Sequence, residues 1–231
     1  MSSLKTKVVT GLLWSFTESF SNQGILFVVG IILARLLEPH EFGLIGMIMI
    51  LIAISESFIN SGFSQALIQK KDCNDIDFST VFYFNIVTAF IFIMILYFTA
   101  PFISIFFQEP QLTLIIRVIG TVLLFDALSI VQRTILTRNI DFKLQAKISI
   151  IASLLSGIIA VIMAYLGFGV WSLVVKIISQ KTINTILLWQ WNKWRPQAVF
   201  SSESFNNLFP FGSRLFLHPL ESPYYFFIHI L

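Results

Sequence analysis

Apolar residues along this chain fall in long unbroken stretches, separated by short polar ones. Six stretches, at 11–34, 43–64, 81–105, 112–134, 146–168 and 170–191, are each long enough to cross a bilayer as a helix, which takes about 20 residues. A seventh begins near 205 and is poorly formed. Backbone amides and carbonyls find no water in hydrocarbon, so each span must be helical or close into a barrel. Barrel strands alternate apolar and polar positions over about 10 residues, and no stretch here does so. The pattern predicts an all-α integral membrane protein: a six-helix transmembrane bundle plus a partial seventh helix.

The links carry turn chemistry. Glu38-Pro39-His40-Glu41, Gln108-Glu109-Pro110 and Gly167-Phe168-Gly169 join the first and second, third and fourth, and fifth and sixth spans; Pro and Gly punctuate such turns. The other two links, Lys70 to Asp75 and Arg133 to Lys147, are longer and basic.

Composition removes the alternatives. Of 231 residues, 56% are apolar and 12% charged, and Phe alone contributes 25. Soluble domains carry about 25% charged residues, so this chain lacks the charge to cover a water-facing surface. Its apolar content also excludes disorder.

Charge sets an orientation. Lys5, Lys7, Lys70, Lys71, Arg133, Arg138, Lys143, Lys147, Lys193 and Arg195 fall on one side of the expected bundle, and Arg35 alone on the other. Basic residues concentrate on the cytoplasmic side, so the N-terminus is expected to be cytoplasmic. The net charge of +3 then needs no nucleic acid, because those residues would meet anionic lipid headgroups. The basic start and first apolar run resemble a signal peptide, but the run is too long, contains Glu18 and lacks a small-x-small cleavage site. It reads as an uncleaved first helix. The single cysteine, Cys73, lies in an expected cytoplasmic link and has no intrachain partner.

Catalytic signatures are absent from the sequence: no P-loop, HExxH, CxxC or GxSxG. His40, His218 and His229 are isolated from one another. No link before residue 192 has room for a soluble catalytic domain. No catalytic residue, metal ligand set or cofactor is expected.

The informative residues are ionisable groups inside the spans: Glu18, Glu56, Arg117, Asp126, Lys176 and Lys181. A charge at the bilayer centre costs about 2.5–3.5 kcal/mol on insertion scales, so each needs a partner or a wet cavity. At about 1.5 Å of rise per residue, the three acids lie low, towards the cytoplasmic edge, Lys181 near the midplane, and Lys176 and Arg117 in the outer half. One account is structural ion pairing, with Arg117 and Lys176 snorkelling outward. The other, favoured by the number of such groups, is a solvated cavity with a basic surface for an anionic substrate. Lys181, Lys176 and Arg117 are its candidate substrate-binding residues; Glu18, Glu56 and Asp126 are candidate coupling-ion or ion-pair groups. Polar neighbours form stripes beside these charges: Thr17, Ser21 and Asn22; Asn60; and Ser172, Ser179, Gln180 and Asn184. They point at a lumen or another helix, the lumen being favoured. Ala152, Ser153, Ser156 and Gly157 read instead as close helix packing.

Four ordered segments, Leu33–Leu44 (LARLLEPHEFGL), Gly62–Asp72 (GFSQALIQKKD), Gln132–Lys143 (QRTILTRNIDFK) and Gly167–Leu173 (GFGVWSL), carry a family resemblance. The chain resembles Wzx-type polysaccharide flippases of the multidrug/oligosaccharidyl-lipid/polysaccharide superfamily, in the lipopolysaccharide and colanic-acid exporter branch, over about residues 8–215. That resemblance implies export of undecaprenyl-pyrophosphate-linked oligosaccharide across the bacterial inner membrane, by two bundles around a cavity that opens alternately to each side. It implies as partners the lipid-linked glycan, membrane lipid, and a polysaccharide polymerase with its assembly proteins. A multidrug or small-amphiphile exporter of the same superfamily is the alternative, and an integral-membrane polymerase a weaker one. On the same resemblance, residues 1–192 are expected to be the N-terminal lobe, 193–204 a cytoplasmic linker and 205–231 a partial seventh helix. Pro219 and Pro223 and the fading resemblance make 216–231 an expected non-native tail. One lobe alone is expected not to transport.

Overall fold

The computed structural model describes residues 2–60, 62–70 and 72–208, with side chains from residue 9 onward. Eight helices follow in order: α1 Ser2–Leu36, α2 Pro39–Asn60, α3 Phe63–Gln69, α4 Asp75–Phe107, α5 Gln111–Ile119, α6 Val122–Arg138, α7 Phe142–Tyr165 and α8 Val170–Trp191. A further helical segment covers 202–208. The expected tail from 216 lies outside the described residues.

The outward faces are apolar. Phe20, Phe102 and Phe106 are 75, 72 and 80% exposed, a cost no water-facing helix would bear and none at all in lipid. Where six spans were expected, five stretches among the described residues are long and apolar enough to cross a membrane: Val9–Leu36, Pro39–Gln69, Asp75–Phe107, Gln111–Arg138 and Phe142–Tyr165. The sixth, α8, has the length, but Lys176, Gln180, Lys181 and Asn184 dilute its apolar character. Its surroundings explain the difference. It packs on α7, α6, α2 and α5, so its polar side faces protein.

The bundle has two parts that share α8. In one, Leu44, Ile48, Ile52 and Ile59 of α2 meet Leu112, Ile115, Ile116 and Ile119 of α5, together with Ala89 and Ala100 of α4 and Val170 and Val174 of α8. The α2 positions fall four or seven residues apart, and each α5 position lies three or four residues from another, the spacings that keep one helical face inward. In the other part, α1 lies along α7, and Val29, Leu33 and Leu37 pack on Ala160 and Ala164. Small residues on α7 allow that close approach. A Cβ on Gly157 would sit 2.7 Å from a Val29 methyl. Gly157→Ala should therefore push α1 from α7 and cost about 1–3 kcal/mol; detergent unfolding of the variant checks this, and Val29→Ala in the same chain should recover part of the loss.

Three departures from the sequence reading have physical causes. The fourth expected span is two helices, α5 and α6, interrupted at Gly120–Thr121, where glycine weakens helix continuity. The third span starts six residues earlier than its apolar run, because Asn74 and Asp77 form a reciprocal capping box at 2.8 and 3.2 Å. The expected link from Lys70 to Asp75 is tied to the protein at both ends, Lys70 and Asn74. Arg138 donates to the carbonyls of Leu67 and Lys70 at the end of α3, where the helix dipole is negative, and Lys70 Nζ reaches Asp77 Oδ2 at 2.7 Å. These two cations are thus engaged within the protein rather than left for lipid headgroups.

The same corner holds Cys73, half-buried, its Sγ 3.7 Å from the Leu67 carbonyl. Burial first, and the Asp77 carboxylate second, push its thiol above the ordinary value. A raised value means less thiolate at any given pH. Alkylation of Cys73 should therefore be slow at pH 7 and keep accelerating through the pH range where an ordinary thiol levels off, as a maleimide rate profile would record.

After α8 the chain crosses the basic end of the bundle as a strap. Gln197 N–H donates to Ser79 Oγ at 2.9 Å, Ser201 N–H to Thr80 Oγ1 at 3.1 Å, and Gln132 Nε2 to the Trp194 carbonyl at 3.2 Å. Trp194 stands edge-on to Phe78 and Phe82.

Candidate functional site

Lys181, Asp126 and Glu56 converge from α8, α6 and α2. The Lys181 ammonium lies 2.6 and 2.8 Å from the two oxygens of Asp126 and 2.9 Å from Glu56 Oε1. Asp126 is buried, while Glu56 and Lys181 are partly exposed. Local packing fixes the geometry. Thr185 Oγ1 donates to the Phe125 carbonyl at 3.1 Å and Trp189 Nε1 to that of Leu128 at 3.0 Å, so α8 is pinned to α6 beside the ion pair. An ammonium has three donors and no acceptor, so three carboxylate oxygens satisfy it fully. Two carboxylates against one ammonium leave the group one negative charge in surplus while both acids are ionised. A proton or a small cation is the chemistry that would balance it.

The other three sequence candidates lie elsewhere. Lys176 is half-buried, about one and a half turns from Lys181 along α8, and has no ion pair or hydrogen bond from its ammonium among the described residues. Arg117, in the last turn of α5, sits over the Tyr97 ring at 4.2 Å and donates to the Tyr97 carbonyl at 3.4 Å. The ring and carbonyl offer that guanidinium a local resting place. Glu18 borders a small void of about 30 Å³ with Arg133, Gln145, Ser149 and Asn184, room for a single water.

A second polar layer joins α1, α7 and α8. Asn22 Nδ2 donates to Ser149 Oγ at 2.8 Å, Ser153 Oγ donates to Asn22 Oδ1 at 2.8 Å, and Gln180 Nε2 donates to Ser153 Oγ at 3.0 Å. Of the polar stripes, Asn22 and Gln180 are thus engaged with a neighbouring helix, whereas Thr17 is exposed and Ser179 bonds within α8. Ser153, which reads from sequence as a packing residue, is the hub of the layer, whereas Gly157 is a true contact position. Arg133, whose charge suggests a link, lies within α6, and its guanidinium donates to Asn184 Oδ1 at 2.9 Å. Asn85, on α4, is fully buried with neither side-chain polar atom paired among the described residues. Sequence reasoning misses it because one amide scarcely dents the hydropathy of a long Phe-rich run.

At the opposite end of the bundle from the strap, a cleft of about 370 Å³ is lined by Glu41, Gln111, Leu114 and the turn Gly167 to Trp171. Glu41 Oε2 accepts the Glu38 N–H at 2.9 Å. Its other oxygen lies against Gly169, which has φ +56°. Beside this cleft's walls, His40 Nε2 and Glu109 Oε1 lie 3.5 Å apart.

The polysaccharide biosynthesis protein family matches residues 32–225. Among similar proteins, the succinoglycan biosynthesis transport protein ExoT of Rhizobium meliloti is 26% identical over 188 residues, covering 81% of this chain and 38% of the relative. The teichuronic acid biosynthesis protein TuaB of Bacillus subtilis is 26% identical over 215 residues, 92% of this chain and 44% of the relative. The lipopolysaccharide biosynthesis protein WzxC of Escherichia coli is 20% identical over the same share of each. The chain thus spans less than half the length of each of these relatives. No solved structure matches it.

Proposed function

Because the chain belongs to the polysaccharide biosynthesis protein family, we propose that it forms one lobe of a flippase that exports lipid-linked oligosaccharide for surface polysaccharide synthesis. In this reading the membrane is the bacterial inner membrane and the basic end, with the N-terminus, faces the cytoplasm. The substrate is undecaprenyl-pyrophosphate carrying a glycan, and the lobe, residues 1–192, works against a second bundle. The single observation that carries the reading is Lys176 of α8, a half-buried ammonium with no ion pair among the described residues. A pyrophosphate losing its hydration in hydrocarbon needs such a cation. Arg117 is the second contact, released from the Tyr97 ring when phosphate arrives.

Lys181 plays a conditional part. It binds substrate only when Asp126 or Glu56 gives up its charge to a coupling ion, so the ion frees the ammonium for the headgroup. That dependence links export to an ion gradient, because the ion favours the state that binds substrate. Glu18 and Arg133 form a polar layer nearer the cytoplasm. The glycan, the lipid bilayer and a downstream polymerase are the partners of this reading. The triad's surplus carboxylate favours a second reading, in which a small cationic amphiphile is the substrate.

Complementation of surface polysaccharide in a flippase-null host, using the lobe extended by the second half of a relative, separates the two. Lys176→Ala should reduce polysaccharide at the surface at least tenfold at unchanged expression. Full rescue by the variant, or rescue of dye efflux instead of polysaccharide, would count against export of an anionic lipid.

A further inference from the structure

The cleft at the outer end lies apart from every charge the export reading uses, and its lining has a chemistry of its own. Two aromatic rings, Phe168 and Trp171, come from the turn into α8. A carboxylate, Glu41, comes from the first turn of α2, and an amide, Gln111, from the start of α5. None of the lining residues is basic. The volume, about 370 Å³, falls within the range of about 300–1,000 Å³ typical of small-molecule sites.

Each lining element is held in place. Glu38 N–H fixes one oxygen of Glu41 at 2.9 Å, and the bare backbone of Gly169 leaves space for the other. Trp171 packs against the core formed by α2, α4, α5 and α8, which orients its ring. Gln111 and Phe168 remain exposed. A flat apolar ring beside fixed acceptors and an amide is the arrangement that recognises a sugar. The C–H face of a pyranose lies on the aromatic face, and neighbouring hydroxyls donate to a carboxylate in charge-assisted hydrogen bonds. A carboxylate lining without a cation repels phosphate and uronate.

We infer that this cleft is a subsite for a neutral, hydroxyl-rich sugar unit, distinct from the deeper basic residues. The inference rests on the proposed export of a lipid-linked glycan and places the glycan's outer sugars at Glu41, Gln111, Phe168 and Trp171. Along α8, Trp171 and Lys176 are five residues apart, about 7.5 Å of rise. At 3.6 residues per turn the two side chains leave the helix about 140° apart, so the sugar subsite lies outward of the ammonium and on a different face of α8.

Saturation-transfer difference NMR on the whole chain in phosphatidylethanolamine–phosphatidylglycerol nanodiscs tests this, with maltotriose as neutral probe and trigalacturonate as anionic probe. In parallel, phosphorus line broadening of pyrophosphate reads the deeper site. Maltotriose should show transfer, weakened at least fivefold in Trp171→Ala and Glu41→Ala and unchanged in Lys176→Ala; trigalacturonate should show none. Trp171 contributes to the core, so Gln111→Ala, at an exposed position, supplies a variant whose folding is not at stake; it should weaken transfer at least threefold. Equal transfer in all three cleft variants, equal transfer from both probes, or displacement of maltotriose by diglucosyldiacylglycerol added to the nanodisc would each overturn the assignment, the last by giving the cleft to a membrane glycolipid. Pyrophosphate broadening that persists while maltotriose gives no signal would sink the sugar subsite alone. Loss of that broadening with maltotriose retained would instead sink the headgroup reading.

Discussion

Replacing Lys181 with Met should destabilise the bundle by about 3 kcal/mol, and adding Asp126→Asn to that variant should recover most of the loss while export stays absent in both. Removing one partner of a buried ion pair leaves an uncompensated charge, at about 3–5 kcal/mol for a fully buried one. The lower end applies because Glu56 and Lys181 retain some solvent contact. Asp126 bears most of the penalty, since it is the buried member and takes two of the three contacts to the ammonium. Neutralising it as Asn keeps the shape and removes the stranded charge. Asp126→Asn alone should cost less, about 1 kcal/mol, because Lys181 keeps Glu56 at 2.9 Å and no charge is left without a partner. Unfolding in a graded detergent mixture gives the stabilities, and surface polysaccharide in the flippase-null host gives export. Equal destabilisation of the single and double variants would show that the two residues do not depend on each other. Export by the double variant would remove the triad from the coupling scheme.

The triad was half legible in the sequence. Charge inside an apolar run is conspicuous, so Glu56, Asp126 and Lys181 announce themselves one by one, and helical rise places them at neighbouring depths. Rise along an axis says nothing about rotation between helices, so whether they meet in pairs or line a void stays open until α2, α6 and α8 are set side by side. Arg133 shows the reverse failure. Its charge suggests a link, yet a long side chain from within α6 reaches Asn184 on α8, which hydropathy does not see. Ser153 is ambiguous in sequence because small residues serve both packing and hydrogen bonding; only the amides of Asn22 and Gln180 across the interface decide between them.

Helix existence is legible and helix ends are not, for one reason. Apolar runs mark the hydrocarbon, but helices continue beyond it wherever a cap is available. The Asn74–Asp77 box extends α4, and Asp141, accepting from Leu144 N–H at 3.2 Å, starts α7 before its apolar run. The weak apolarity of α8 carries the complementary lesson. A helix shielded by α2, α5, α6 and α7 need not be apolar all round, so a criterion built on lipid exposure undervalues the one helix that bears Trp171, Lys176 and Lys181.

Gly169→Ala should cost about 3 kcal/mol, two to three times as much as Gly167→Ala two residues earlier. Both glycines have positive φ, +56° and +80°, and an L-residue forced there pays about 1–3 kcal/mol in backbone strain. The difference lies in what a side chain would meet. Around Gly167 there is open space within 4 Å, so alanine adds strain alone. At Gly169 the new Cβ would overlap Glu41 Oε1. Glu41 has little room to yield, because its other oxygen holds the Glu38 N–H at the start of α2, a cap worth about 1 kcal/mol. Either the turn shifts or that cap breaks, and in both cases Glu41 leaves its place in the cleft wall. The two positions should therefore be coupled: Gly169→Ala with Glu41→Ala should be less damaging than the sum of the two changes, because removing the carboxylate leaves only strain. Thermal unfolding of the four chains in one detergent measures the coupling. A Gly169→Ala penalty equal to that of Gly167→Ala would mean that Glu41 does not rest on Gly169. A coupled penalty with weakened maltotriose binding would tie the turn's backbone directly to the geometry of the cleft, since Gly169→Ala alters no group that itself contacts sugar hydroxyls.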